Sequence, residues 1–368
     1  MGFKKLKVID SIYKALMEVG YTTPTEIQNK AIPTVLAGKD VISCAQTGTG
    51  KTAAFAIPIL QLLNQNHNKK KNIRALIVTP TRELALQIEE NFNAYSTYLP
   101  IKSIAIFGGV SANPQINKLK NGVDVLIATP GRLLDLVGSK HINLSQIEIL
   151  VLDEADRMLD MGFVHDVKKI ITLVPKKRQT LFFSATMPTP IRKFALGILN
   201  DAKEITVTPV SSTAETVKQG VYFVEKNKKT NLLVDILNKQ NDKTLIFTRT
   251  KHGADRLVKQ LKKFNIEAAA IHGNKSQNAR QRALENFKSN TINVLIATDI
   301  AARGIDIEAL PFVINFELPN VPETYVHRIG RTGRAGFSGY AISLCDPEEV
   351  KDLNTIQKLI GLKIPVIK

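Results

Sequence analysis

The run Val125-Leu126-Ile127-Ala128-Thr129 returns letter for letter as Val294-Leu295-Ile296-Ala297-Thr298, at an offset of 169. Leu76-Ile77-Val78-Thr79 recurs as Leu245-Ile246-Phe247-Thr248 at the same offset, and Ala105-Ile106-Phe107-Gly108-Gly109 resembles Ala270-Ile271-His272-Gly273-Asn274 at offset 165. One such match could be chance, because apolar strands look alike. Three in register point to an internal duplication. Each run is a short, uniformly apolar block followed by a polar, helix-like stretch such as Arg82 to Phe92 or Lys251 to Phe264. That is the pattern of buried parallel strands with crossover helices. The chain is therefore expected to be α/β, with parallel-sheet domains over residues 1–208 and 221–368 and a linker over 209–220. The linker is placed there because Thr206 to Gly220 is rich in Ser, Thr and Pro and lacks helical periodicity. A cleft between two such domains is the natural place for chemistry.

A chain of 368 residues, 44% of them hydrophobic, can bury the cores of about two domains. No stretch approaches the roughly 18 uninterrupted apolar residues of a membrane span and no basic-then-apolar leader opens the chain, so a soluble, cytoplasmic protein is expected. Met1-Gly2 does not read as a myristoylation signal, since Leu6 stands where that motif wants Ser or Thr. Cys44 and Cys345 lie far apart with no zinc-ligand or disulfide spacing and read as small buried hydrophobes. A net charge of +17 points to a polyanionic partner, although Lys-rich composition alone can produce it. Residues 1–208 carry 26 Lys and Arg against 17 Asp and Glu, and residues 209–368 carry 24 against 16, which gives +9 and +8. The basic character belongs to both halves.

Ala45-Gln46-Thr47-Gly48-Thr49-Gly50-Lys51-Thr52 lies between the apolar run Val41-Ile42-Ser43-Cys44 and a helix-like stretch from Lys51 to Leu63. At a strand-to-helix turn, backbone N–H groups and the helix dipole face an anion. These eight residues are expected to cradle the phosphates of ATP. Gly48 and Gly50 permit the tight path, Lys51 reaches the β- and γ-phosphates, and the Thr52 hydroxyl holds Mg²⁺. The first glycine of the general pattern is Ala45 here. A second apolar strand, Ile149-Leu150-Val151-Leu152, delivers Asp153-Glu154-Ala155-Asp156 at its carboxyl end, where open α/β sheets place ligands. Asp153 is expected on Mg²⁺ and Glu154 on the attacking water. In isolation the same cluster would read as an acidic helix start. Further on, His327-Arg328-Ile329-Gly330-Arg331-Thr332-Gly333-Arg334 sets Arg331 and Arg334 three residues apart among glycines. Guanidinium groups suit the spread charge of a phosphoryl transition state, and as arginine fingers they would contribute about 10³–10⁵ in rate. The alternative is a surface cluster on nucleic-acid phosphates.

Together these residues resemble the DEAD-box ATP-dependent RNA helicases, whose name Asp153 to Asp156 spells. The resemblance spans Phe3 to about Ile364 and includes Thr25-Glu26-Ile27-Gln28, Pro80-Thr81-Arg82-Glu83-Leu84-Ala85, Gly108-Gly109, Thr129-Pro130-Gly131-Arg132, Ser184-Ala185-Thr186, Gln277 with Arg280, and Ala302-Arg303-Gly304-Ile305-Asp306. It implies two tandem RecA-like domains, a monomeric core, ATP and Mg²⁺ as cofactors, and RNA-stimulated hydrolysis. The implied outcome is local unwinding of short duplexes or remodelling of RNA–protein complexes.

By the same resemblance, residues 1–30 recognise adenine through Gln28 and the upstream aromatic Phe3. Gly304 and Asp306 complete the nucleotide site, Asp306 at the ribose. Ser184 and Thr186 couple ATP to RNA, and His327 bridges towards Asp156. RNA is expected on Arg82, Gly108, Gly109, Thr129, Arg132, Thr248, Arg249, Gln277, Arg280 and Thr298. With no Trp and 6% aromatic residues, contacts to phosphate and sugar rather than base stacking are expected. Phe247 to Ala254 and Ile271 to Gln277 look most like the bacterial RhlE-type branch, and for a bacterial member ribosome assembly or RNA turnover would be usual. Members of that branch often continue into a basic tail, whereas this chain stops soon after Ile364-Pro365. A DNA-directed translocase and an RNA clamp with incidental ATPase are the rival readings.

Overall fold

In a computed structural model, the structure describes residues 2–45, 48–65, 72–207, 217–240, 242–302, 307, 310–333 and 339–367. The chain divides into two units, Met1–Thr208 and Pro209–Lys368. The first contains β1 (Val41–Ala45), β2 (Ala75–Val78), β3 (Ser103–Ile106), β4 (Val125–Ala128), β5 (Ile149–Leu152), β6 (Gln179–Ser184) and β7 (Lys203–Val207). They form one sheet in the order β3-β4-β2-β5-β6-β1-β7, with every pair parallel. The second contains β8 (Lys218–Phe223), β9 (Thr244–Thr248), β10 (Ala268–Ile271), β11 (Val294–Thr298), β12 (Phe312–Asn315) and β13 (Tyr340–Cys345). Their order is β10-β11-β9-β12-β13-β8, again all parallel.

The duplicated sequence runs form corresponding strands in the two sheets. Leu76 pairs with Leu126 as Leu245 pairs with Leu295, and Ala105 pairs with Ile127 as Ala270 pairs with Ile296. Helices cover both faces of each sheet, which is why the central strands are apolar throughout. In β1, Val41 and Ala45 enter one core with Ile77, Val151 and Phe183, while Ile42 enters the other with Leu76, Leu150 and Phe182. The two-residue period of a strand sends neighbours to opposite faces. Fully burying each such side chain stabilises by about 1.5–3 kcal/mol.

Two expectations need correction here. The strand β8 starts at Lys218, inside the stretch expected as linker, and it pairs along its length with β13. Gly220 passes close to the chain terminus, where an added Cβ would lie 2.4 Å from Ile367 Cδ1. The remaining linker positions, 209–216, lie outside the described residues. Cys345 is buried, but Cys44 is only half-buried, since its thiol meets the Ala185 carbonyl oxygen near the carboxyl edge of the sheet. Among the described residues no helix is long and apolar enough to cross a membrane.

Candidate active site

The strand β1 ends at Ala45 and the helix Lys51–Gln65 begins six residues later, with the glycine loop between them. Gln46 and Thr47 lie outside the described residues. Gly48 and Gly50 have φ of 82° and 90°, values that side chains rarely adopt. A Cβ on Gly50 would also stand 2.3 Å from Gln28 Nε2. Gln28, fully buried on the helix Glu26–Leu36, donates from Nε2 to the Gly50 carbonyl at 3.2 Å. Its Oε1 accepts from the Thr25 N–H at 2.9 Å, closing a capping box. The expected adenine reader is thus also a brace for the phosphate loop. Phe3 differs from expectation: it is fully buried in the core with Ile27 and Ile32 and offers no open ring face to a base.

Lys51 is buried, and its Nζ donates to the Ala45 carbonyl at 2.7 Å. The ammonium therefore sits within the loop whose backbone would meet phosphate. Asp153, at the end of β5, is 2% exposed. Burial pushes its carboxyl up to about 7, Lys51 opposes that shift and Glu154 adds to it. A buried carboxyl of this kind ionises readily only beside added positive charge, so the donor set of Asp153 and the half-buried Thr52 fits a magnesium ion. Asp153 Oδ1 accepts from the Glu154 N–H at 3.0 Å.

Glu154 takes a left-handed backbone, φ 50° and ψ 47°, at the start of the helix Ala155–Asp160. Its two carboxylate oxygens accept from Arg157 Nη1 at 2.8 and 2.7 Å, and both side chains are almost completely buried. Arg157 was not expected at the site, although its i,i+3 spacing from Glu154 on an acidic helix start is a readable signal. Next to it, Asp156, Ser184 and Thr186 come together. Thr186 donates to Asp156 Oδ2 from both its N–H and its hydroxyl at 2.9 Å, Ser184 Oγ accepts from the Asp156 N–H at 3.3 Å, and Ser184 Oγ donates to the Thr186 carbonyl at 2.7 Å.

In the second unit, Arg331 is buried and His327 half-buried, on or just after the helix Pro322–Ile329. Gly304, Asp306 and Arg334 lie outside the described residues. The anchor for this segment is a residue the sequence did not single out. Arg328 donates from Nε and Nη2 to the Asp299 carboxylate at 2.6 and 2.8 Å, and from Nη1 to Asn315 Oδ1 at 3.0 Å and the Glu317 carbonyl at 2.6 Å. Its guanidinium also lies 5.0 Å from the centre of the Phe247 ring. Thr298 directly precedes Asp299 in the chain, and His327 directly precedes Arg328.

The residues expected on RNA gather at the carboxyl ends of β2, β3 and β4 in the first unit and of β9, β10 and β11 in the second. Gly109 has φ of 78°, which favours glycine, and a Cβ there would fall 2.1 Å from Arg82 Nη2, so any side chain would displace the guanidinium from this position. Gly108 precedes it, Thr129 caps the helix Pro130–Gly138, and Arg132 in that helix donates to the Val110 carbonyl at 2.8 Å. In the second unit, Gln277 opens the helix Gln277–Lys288, which also carries Arg280. Thr248 is buried, its hydroxyl donating to the Thr250 carbonyl at 3.3 Å. Arg249 is a correction. Its guanidinium is held by Asp352 at 2.6 Å, by Glu349 at 3.2 Å and by the Leu318 carbonyl at 2.5 Å, so it ties β9 to the helix Val350–Ile360.

A parallel sheet with a glycine loop after one strand and an acidic pair after another defines a P-loop nucleoside triphosphatase. The DEAD/DEAH box helicase family matches residues 25–194, and the helicase conserved C-terminal domain matches residues 228–336. The chain is 43% identical over 368 residues to the DEAD-box ATP-dependent RNA helicase RhpA of Helicobacter pylori, covering all of this chain and 74% of that protein. It is 41% identical to the DEAD-box ATP-dependent RNA helicase CshA of Geobacillus kaustophilus, covering all of this chain and 78% of the relative. Among solved structures, S. cerevisiae Dbp5 bound to RNA and ADP BeF3 superposes with a TM-score of 0.89 at 31% identity, covering 100% of this chain and 95% of that one. The chain belongs to the DEAD-box ATP-dependent RNA helicases.

Proposed function

We propose that this helicase couples RNA-stimulated ATP hydrolysis to local separation of short RNA duplexes or remodelling of RNA–protein complexes. The observation that carries this reading is the hydrogen-bonded cluster of Asp156, Ser184 and Thr186, which joins the acidic motif at the end of β5 to the end of β6. In this reading the cluster would carry a change at the hydrolysis site to another part of the chain.

In this reading the loop from Ala45 to Thr52 binds the phosphates through its backbone and Lys51, and Gln28 adds selectivity for adenine. Mg²⁺, held by Thr52 and Asp153, would neutralise charge on the phosphates. Glu154 orients the attacking water and accepts its proton. Arg331 and Arg334 stabilise the transferring phosphoryl group, Gly304 and Asp306 hold the nucleotide, and His327 acts with Asp156 in coupling. RNA contacts come from Arg82, Gly108, Gly109, Thr129, Arg132, Gln277, Arg280, Thr248 and Thr298 through phosphate and sugar, without base preference. Within the family, the chain is assigned to the RhlE-type branch on the stretches 247–254 and 271–277. A cytoplasmic place, and work in ribosome assembly or RNA turnover as is usual for a bacterial member, complete the reading.

Steady-state ATPase with and without RNA, for wild type, Lys51→Ala and Arg331→Ala, tests the core of the reading. Strong RNA stimulation is expected in wild type, with loss of about 10³-fold or more in Arg331→Ala and of nearly all turnover in Lys51→Ala. Turnover indifferent to RNA, or stimulated equally by single-stranded DNA, would reject it.

A further inference from the structure

The duplication extends beyond the strands into the turns that follow them. Thr79-Pro80-Thr81-Arg82 and Thr248-Arg249-Thr250-Lys251 stand at the same offset of 169 as the strands they follow. Thr81 and Thr250 both cap helices, with φ/ψ of −126°/155° and −126°/149°. Each hydroxyl accepts from the N–H three residues on, Leu84 at 3.3 Å and Gly253 at 3.0 Å. The strands that deliver them, β2 and β9, pair with β4 and β11 in the same register. Arg82 and Lys251 therefore occupy one structural position, the first residue of the helix, once in each unit.

The neighbour recurs as well. Gly109 corresponds to Asn274 at offset 165. In the first unit the Arg82 guanidinium lies where a Cβ of Gly109 would be, and in the second Lys251 Nζ donates to Asn274 Oδ1 at 3.1 Å. Both partners differ between the units and the contact persists: a flat guanidinium against a bare Cα, and a compact ammonium on an amide oxygen. Lys251 is exposed and bonds to a neutral amide, which leaves its charge uncompensated among the described residues. Arg249, two residues earlier, is by contrast neutralised by Asp352 and Glu349.

We propose that Lys251 is the second unit's counterpart of Arg82, an RNA phosphate-contacting residue positioned by Asn274. The inference rests on the reading of Arg82 as an RNA contact. Binding of a fluorescein-labelled oligouridylate, with a non-hydrolysable ATP analogue present, is measured by anisotropy across a salt series. Losing one phosphate contact to a single strand lowers the slope of log K against log salt by about 0.7. Lys251→Ala and Lys251→Gln are each expected to show that drop and several-fold weaker binding at low salt, and Lys251→Arg to restore both. Lys259→Ala removes the same charge from the other end of the helix Lys251–Lys262 and should keep the wild-type slope. If the alanine and glutamine variants match Lys259→Ala while Arg82→Ala loses slope, the assignment of Lys251 is overturned. If Arg82→Ala keeps the wild-type slope, the RNA reading of the first unit falls and this proposal falls with it.

Discussion

Glu154 combines two costly conditions. Its left-handed backbone costs a non-glycine residue about 1–2 kcal/mol, and its carboxylate is almost entirely removed from water. Arg157 compensates the charge, and at 2% exposure it can serve little else. Replacing Arg157 with Met strands a buried carboxylate, which is expected to destabilise the first unit by about 3–5 kcal/mol. Pairing it with Glu154→Gln should recover much of that loss, because the stranded charge is gone. Urea melts of the two single variants and the double variant measure the coupling; additive losses would show that the pair does not act as a unit. The residue scale also marks where sequence reading stops. The glycine loop was readable because its backbone geometry demands glycine at fixed spacing, as φ at Gly48 and Gly50 shows. Arg157 and Arg328 were not, because an arginine in sequence reads as surface and its burial depends on strands far along the chain. Arg249 was misplaced for the same reason, since its partners Glu349 and Asp352 lie a hundred residues away.

At the scale of elements, the central strands and the edge strands β3 and β10 were plain in the sequence, whereas the opposite edge strands β7 and β8 were not. The strands β7 and β8 each close one edge of their sheet. With only part of each buried, Lys203-Glu204-Ile205-Thr206-Val207 alternates, and Lys218-Gln219-Gly220 reads as linker. What fastens β13 and the residues after β12 to the helix Lys229–Lys239 is a buried ion cluster. Lys229 Nζ lies 3.0 Å from Asp346 Oδ2, contacts Glu349, and donates to the Phe316 carbonyl at 3.1 Å. Burial acts to raise the Asp346 carboxyl, but the hydrogen bond and charge of Lys229 more than offset it and hold it below the usual carboxylate range. A depressed carboxyl binds fewer protons folded than unfolded, so its contribution is full above the unfolded value near 4. It is lost as pH falls through the lower folded value. Lys229→Met should therefore destabilise the second unit by about 3–5 kcal/mol at pH 7, with the gap from wild type narrowing in acid as Asp346 protonates. Urea melts at neutral and acid pH measure this, and a gap that stayed constant would show that the lost charge pairing is not the cause.

Across the whole molecule, the duplication distributes function unequally. β8 borders β13 as β1 borders β6, so β8 corresponds to β1, yet the residues after it, Val224-Glu225-Lys226-Asn227-Lys228, contain no glycine. Only the first unit carries the phosphate loop, while basic charge is nearly equal in the two, +9 and +8. Each unit has its own sheet and its own hydrophobic clusters, as an independently folding domain requires. Cut between Thr208 and Pro209, the two fragments should each fold. Fragment 1–208 should bind an ATP analogue and 209–368 should not. If hydrolysis draws on Arg331 and Arg334, neither fragment alone will show RNA-stimulated turnover. Mixing them should restore it only near millimolar concentration, because a short covalent tether supplies an effective concentration of about that order. Nucleotide binding and RNA-stimulated ATPase across a titration of one fragment into the other decide the matter. Full stimulated turnover by fragment 1–208 alone would place the whole catalytic apparatus in the first unit and remove the second from hydrolysis.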